Sequence, residues 1–307
     1  MSRLSFTWTV TDHFDGWLLR EYLTVEKQIS RQLLTDIKFR GGKIQVNGKD
    51  ATVRHRLIAG DKVTVFFPEE SVSESMKPCD IPLDIVFEDE HVIAVNKPAN
   101  LPTIPSRTHP DVSLAQAVLA YYEKNNISST IHIVTRLDRD TTGLVLVAKH
   151  RYAHSLLARQ QVQKNLDRCY IAIVEGKIKD EKGTIALPIA RKSTSIIERT
   201  VAQDGQEAIT HFETIGQSET HTLVKIRLET GRTHQIRVHF SAIGHPLAGD
   251  TLYGGHTNII SRQALHCLSI TFSHPFSHER ITLQSPLPED MLAIIQRMDV
   301  HNEKNLV

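Results

Sequence analysis

TRLDRDTTGLVLVAK, Thr135–Lys149, is the most informative stretch of the 307-residue chain. Its second half, Leu144 to Ala148, is an unbroken apolar run that reads as a buried strand, and Ile131 to Val134 reads as another before it. Between them the loop carries Arg136, Asp138, Arg139 and Asp140. A hairpin loop needs polar residues. On composition alone the segment reads equally as a solvated turn whose surface ion pairs contribute little or as a functional carboxylate set among cations.

A second stretch bears on that choice. LETGRTHQIRVH, Leu228–His239, runs from a strand through a glycine turn into a helix and brings Arg232 and Arg237 five residues apart. Pairing of Arg237 with Asp138 would hold the carboxylate ionised and oriented, because a neighbouring cation lowers a carboxylate's pKa.

Working outward from these two stretches, the strands expected include Ile85 to Phe87, Val92 to Val95, Tyr170 to Val174 and Leu223 to Leu228. The helices expected are one capped by Ser113 with Gln116 three residues on, then Tyr152 to Gln163, His234 to Ile243 and Glu289 to Met298. Strands outnumber helices and mostly adjoin other strands. The fold class expected for residues 83–307 is therefore α+β, a mixed and mainly antiparallel sheet with peripheral helices.

Residues 1–67 read as a smaller α+β domain. It has a short helix from Gly16 to Thr24 and a second, Arg31 to Arg40, capped by Ser30 and ended by Gly41-Gly42. Lys43 to Val46 then forms a strand into an Asn47-Gly48 hairpin turn, and Lys62 to Phe67 another strand. Arg31, Lys38 and Arg40 should stay solvated, and with Lys43 they are the candidate nucleic-acid-binding residues of this domain. Residues 68–82, with Glu69-Glu70, three serines and Pro78, read as a linker.

Bulk composition narrows the classes. No apolar run reaches the roughly 20 residues that span a bilayer, and Met1 to Thr11 does not read as a signal peptide, so no membrane association is expected. Cys79, Cys169 and Cys267 are far apart with no CxxC pair, which fits a reducing cytoplasm and argues against a zinc ribbon. His234, His239 and His245 do not match metal-ligand spacing and read as structural hydrogen-bonders, so no metal is expected. With 36 basic and 35 acidic residues the net charge is only +1. A nucleic-acid role needs local concentration of charge, and Asp12 to Phe67 holds ten Lys/Arg against seven Asp/Glu, an excess of three.

The loop at Arg136-Leu137-Asp138, with Thr142-Gly143 after it, resembles the second motif of RNA pseudouridine synthases of the RluA/RluD branch. Lys97-Pro98 resembles that family's first motif, and Cys169 to Gly176 the strand carrying its active-site tyrosine. Thr230 to His239 with Gly244 to Tyr253 resembles its third motif. The first segment is independently similar to a small RNA-binding domain shared with a small-subunit ribosomal protein, through Ile29-Ser30-Arg31, Val46-Asn47-Gly48 and Gly60-Asp61. Three positions depart from the usual pattern. Thr135 stands for histidine, Thr142 for serine and Asn100 for glycine, and none of them removes the carboxylate, tyrosine or arginine.

The resemblance implies Asp138 as catalytic carboxylate, Arg237 as its partner and Tyr170 as the active-site aromatic. It also implies Arg136 in the gap left by a flipped nucleotide, with Ile236 beside Arg237 and Lys97 of the first motif as further substrate-binding residues. Arg139, Arg232, Lys149 and Arg151 are candidate phosphate contacts. Pseudouridine formation breaks the ribose–N1 bond, turns the base and rejoins ribose to C5, so atoms balance without a cofactor. Positive charge builds at the anomeric carbon, as in glycoside hydrolysis, and an ionised carboxylate answers it. The partner implied is RNA, ribosomal RNA before transfer RNA, and the chain is expected to be a monomer. Rival readings are a non-catalytic RNA-binding or ribosome-assembly protein and a uridine glycosylase.

Overall fold

The computed structural model describes residues 4–70, 76–106 and 110–300; the three serines of the expected linker, Ser71, Ser73 and Ser75, lie outside the described residues. The N-terminal unit runs β1 (Ser5–Thr9), α1 (Leu19–Glu21) with a π-helical continuation at Tyr22–Glu26, α2 (Arg31–Phe39), β2 (Lys43–Val46), β3 (Lys49–Asp50) and β4 (Lys62–Phe66). Its antiparallel sheet has the order β1-β4-β2-β3. Ser30 caps α2 as expected, its hydroxyl accepting from Leu33 N at 3.2 Å. Asn47 and Gly48 both take positive φ, 51° and 80°, which is what a two-residue hairpin turn requires. The first helix begins at Leu19 and not Gly16, because Leu19 N and Arg20 N donate to His55 O and Val53 O, partners from a distant segment.

The larger unit contains β5 (Asp84–Glu88), β6 (Val92–Lys97), α3 (Leu114–Lys124), β7 (His132–Ile133), β8 (Thr142–Ala148), α4 (Arg151–Val162) and β9 (Asp167–Glu175). It continues with β10 (Lys182–Ala186), β11 (Ile189–Arg191), β12 (Arg199–Val201), β13 (Ile209–Gln217), β14 (His221–Leu228) and α5 (Gln235–Ala242). The last elements are β15 (Leu265–Ser273), β16 (Arg280–Gln284), α6 (Glu289–Ile295) and β17 (Asp299–Val300). The main path of its sheet is β10-β13-β14-β9-β15-β8-β6-β5. All its pairings are antiparallel except β15 with β8, so the sheet is mixed and mainly antiparallel, with helices at its periphery. β8 is buried along its whole length because it lies between β6 and β15 with helices and loops over it, which explains an apolar run without alternation.

The two units share a core. Phe6 of β1 stacks on Phe276 at 4.8 Å between centroids, and Phe67 on Tyr152 of α4 at 5.2 Å. Tyr152 OH donates to Lys27 O at 2.5 Å, and Arg151 pairs with the buried Asp36 at 2.7 Å. Glu70 accepts from Arg151 N at 3.0 Å and lies 2.6 Å from His132 Nε2, so the start of the expected linker is fastened to the larger unit.

Candidate active site

The charged loop is held by its backbone. Leu137 O accepts from Thr103 Oγ1 at 2.7 Å, and that oxygen in turn accepts from Leu137 N at 3.1 Å. Asp138 O accepts from Thr141 N at 3.2 Å, and Arg139 O from Leu101 N at 3.1 Å and Lys97 Nζ at 2.9 Å. Asp140 O accepts from Arg262 Nη1 at 3.1 Å. Four consecutive carbonyls therefore have donors, three of them supplied by segments far away in the chain. Gly143 closes the loop at φ 106°, where a Cβ would lie 2.3 Å from Cys267 O; only glycine lets β8 meet β15 there. Thr135 Oγ1 accepts from Leu146 N at 2.9 Å, Thr142 Oγ1 lies 2.9 Å from His266 Nδ1, and Asn100 takes φ 60°, so each unusual residue has a local role.

Asp138 leaves this loop to meet Arg237 on α5. Arg237 Nη1 donates to Asp138 Oδ2 at 3.0 Å, while Nε and Nη2 grip Asp250 at 2.7 and 2.8 Å. Burial opposes the guanidinium charge, but the bonded Asp250 and the charge of Asp138 outweigh it and hold the Arg237 pKa above its ordinary range. The guanidinium also lies over the Tyr253 ring at 5.0 Å. Asp250 is buried and its carboxylate is fully engaged by the fork, whereas Asp138 keeps 27% side-chain exposure. Among the described residues no donor reaches Asp138 Oδ1. One oxygen is fixed and the other is open.

Tyr170 lies on β9, 4% exposed, near enough to Asp138 to feel its charge. Burial first, then Cys267 and Asp138, push its phenol pKa above the usual range, so it stays protonated at neutral pH. Ile236 is buried beside Arg237. Arg136 is exposed, with no hydrogen-bond or ion-pair partner among the described residues. Arg139 is exposed and forks onto Asp140 at 2.9 to 3.2 Å. Arg232 is half-buried, its Nε donating to Glu207 O at 2.9 Å.

The chain is similar to known proteins along most of its length. Residues 91–242 match the family model described as RNA pseudouridylate synthase. An RNA pseudouridine synthase called YjbO of Bacillus subtilis, itself uncharacterised, is 50% identical over 271 residues, covering 88% of this chain and 96% of that protein. The chain belongs to the RNA pseudouridylate synthase family. Ribosomal large subunit pseudouridine synthase D of Vibrio parahaemolyticus is 38% identical over 278 residues, covering 86% of this chain and 85% of that protein. The solved structure of human RNA pseudouridylate synthase domain containing 1 has the same fold at 23% identity and TM-score 0.58, covering 74% of this chain and 92% of that one.

Within this pseudouridine synthase, some expected contacts are corrected. Lys97 is fully buried, and its Nζ donates to Pro98 O, Leu101 O and Arg139 O at 2.8, 2.8 and 2.9 Å, so it braces the loop and cannot bind substrate. Burial pulls its pKa down to about 7, against the pull of Asp140 and Asp138, although three carbonyls suit the three N–H groups of an ammonium. Lys149 is buried against Glu88 at 2.6 Å and Arg151 is committed to Asp36, so neither is free for phosphate. His239, read as structural, is buried with Nδ1 on Thr210 Oγ1 and Nε2 on Leu187 O, both at 2.9 Å.

Sequence reasoning misses Asp250, Thr103, Arg262 and Arg168. Asp250 falls within the third-motif stretch, but no spacing rule ties it to Arg237. Arg168 faces the same side of β9 as Tyr170 through the two-residue alternation of a strand. Its Nε is buried with no partner among the described residues, and Gly231 leaves it room, since a Cβ there would lie 3.1 Å from Arg168 Nη2.

Proposed function

We propose that this synthase isomerises uridine in large-subunit ribosomal RNA, with Asp138 as the catalytic carboxylate. The observation that carries the mechanism is the half-engaged carboxylate: Oδ2 is bound by Arg237 and Oδ1 has no donor among the described residues. The open oxygen answers the positive charge that builds at C1′ as the bond to uracil N1 breaks. Uracil is then held on the Tyr170 face while it turns; its C5 rejoins C1′ and gives up its proton to solvent, and N1, freed from ribose, takes up a proton in exchange. Ile236, Leu137 and the apolar surroundings of Tyr170 keep water from the intermediate, which hydrolysis would convert to an abasic site. Arg136 stacks where the target base had been, offsetting the few kcal/mol that flipping costs. Arg168 takes the phosphate or uracil carbonyl that would complete its bonding.

Arg139 and Arg232 contact flanking phosphates, and the N-terminal unit binds RNA by shape and backbone. Arg31, Lys38, Arg40 and Lys43 are all exposed on it. Lys38 sits 4.6 Å over Phe39, which is 73% exposed, so charge and a stacking face lie together. The ribosomal target is favoured by the similarity to ribosomal large subunit pseudouridine synthases D of several bacteria. The enzyme acts as a cytoplasmic monomer in this reading. Mapping pseudouridines in ribosomal and transfer RNA from a strain lacking the gene tests it: a missing site in large-subunit RNA is expected. Loss confined to transfer RNA would overturn the target, and release of free uracil by the purified enzyme would overturn the reaction.

A further inference from the structure

Tyr253 and His234 form an arrangement that the Asp138–Arg237–Asp250 trio does not account for. The Tyr253 hydroxyl accepts from Arg199 N at 2.9 Å and lies 2.8 Å from His234 Nδ1. A phenol oxygen already receiving a fixed amide proton keeps its own proton for the second neighbour, so Tyr253 donates to Nδ1. The neutral imidazole then carries its proton on Nε2. That nitrogen faces Asp138 Oδ2 at 3.8 Å, the same oxygen that Arg237 binds. The two ends agree: a hydroxyl donor wants a bare nitrogen, and a carboxylate wants an N–H.

The surroundings keep both rings neutral. Burial lowers the His234 pKa, with Arg237 and Arg199 adding to that and Asp138 and Asp250 opposing it. Burial raises the Tyr253 pKa, with the Arg199 amide and Arg237 opposing and Asp138 and Asp250 adding. Each ring therefore has one proton to place. His234 also adopts φ 59° immediately before α5, a left-handed conformation uncommon outside glycine, and such backbone is retained where the surroundings over-determine it.

We propose that His234 is a positioning residue for the isomerisation: Tyr253 fixes its tautomer, and the imidazole presents Nε2–H to Asp138 so that, with Arg237, it aims the open carboxylate oxygen. The inference rests on Asp138 being the catalytic carboxylate. A span of 3.8 Å exceeds a hydrogen bond; it closes when RNA binds, as catalytic hydrogen bonds tighten in the substrate complex.

The test uses the full chain and C5-tritiated ribosomal RNA from a gene-deletion strain, with single-turnover tritium release and filter binding as readouts. His234→Ala should slow release by about tenfold to a hundredfold with RNA affinity within about twofold of wild type. His234→Gln, which restores a donor near Nε2, should recover most of the rate. Tyr253→Phe should slow the wild type by roughly threefold to tenfold but leave His234→Gln unchanged, because an amide has no tautomer to fix. His234→Ala at the wild-type rate, equal loss in His234→Ala and His234→Gln, or the same Tyr253→Phe cost in both backgrounds would overturn the proposal. Asp138→Asn separates the two levels: if it turns over normally, the carboxylate assignment itself falls, whereas failure of the histidine tests beside an inactive Asp138→Asn removes only the positioning pair.

Discussion

The loop from Arg136 to Thr141 and the helix α2 are both short and rich in charge, and they hold that charge in opposite ways. In the loop, carbonyls from Leu137 to Asp140 are tied to Thr103, Thr141, Leu101, Lys97 and Arg262, and Asp138 is gripped by a buried arginine. On α2 the apolar Leu33, Leu34 and Ile37 are buried, while Arg31 and Lys38, and Arg40 just after the helix, are exposed to solvent. Chemistry at one carbon needs a charge that does not reorganise during the reaction. Contact with a phosphate backbone needs exposed charges that adapt and release counterions. The contrast predicts large, local effects from the loop and small, diffuse ones from the helix.

The strongest way to break the contrast is Asp138→Asn. Turnover should fall by at least about a thousandfold, roughly 4 kcal/mol of barrier, while RNA affinity changes by less than about threefold. Tritium release and filter binding on the same protein measure both. Arg237→Met should come next, leaving Asp250 buried without its fork. About 3–5 kcal/mol of stability should be lost, read from urea unfolding, and a loss under about 1 kcal/mol would show that the trio is dispensable to the fold.

Lys97 sharpens the comparison through pH. Its folded pKa is pulled to about 7, below its unfolded value, so between about pH 7 and the ordinary lysine range the unfolded chain binds the extra proton. Stability of the wild type relative to Lys97→Met should therefore rise with pH across that window, by at most about 1.4 kcal/mol per pH unit. Paired urea titrations at pH 7 and pH 9 check it; a flat difference would mean that the three carbonyls keep the ammonium charged throughout. Smallest of all, Arg31→Ala or Lys38→Ala should weaken RNA binding only a few-fold, uniformly across sequences. The slope of log affinity against log salt should become shallower by about 0.7 to 0.9 for each phosphate that the variant no longer neutralises. Turnover at saturating RNA should not move.

Legibility from sequence follows how local each determinant is. The Ser30 cap, the Asn47-Gly48 turn and the buried stripe of α2 depend on residues within one or two turns, and all are readable. The meeting of Asp138 with Arg237 is readable because two motif-bearing segments point to one chemistry. Lys97 invites misreading because a lysine after an apolar strand, in a motif that the family resemblance marks, looks ready for substrate. Only the fold brings Arg139 O to its ammonium from 42 residues away. β10 and β13 escape a sequence reading because their polar and apolar residues mix on half-covered strands, where pairing partners rather than composition settle the conformation.

By itself, the sequence determined the elements with local caps and periodicity, the candidate carboxylate, arginine and tyrosine, and the family to which the chain belongs. Tertiary structure alone decided which charges are spent inside and which remain exposed. It buried Lys97, Lys149 and Asp250, committed Arg151 to Asp36, left Arg136 exposed and set the Tyr253 hydroxyl against His234. The reason is physical. A side chain's type fixes what bonds it can make, but its protonation and free valence depend on neighbours that only long-range packing brings within hydrogen-bond reach.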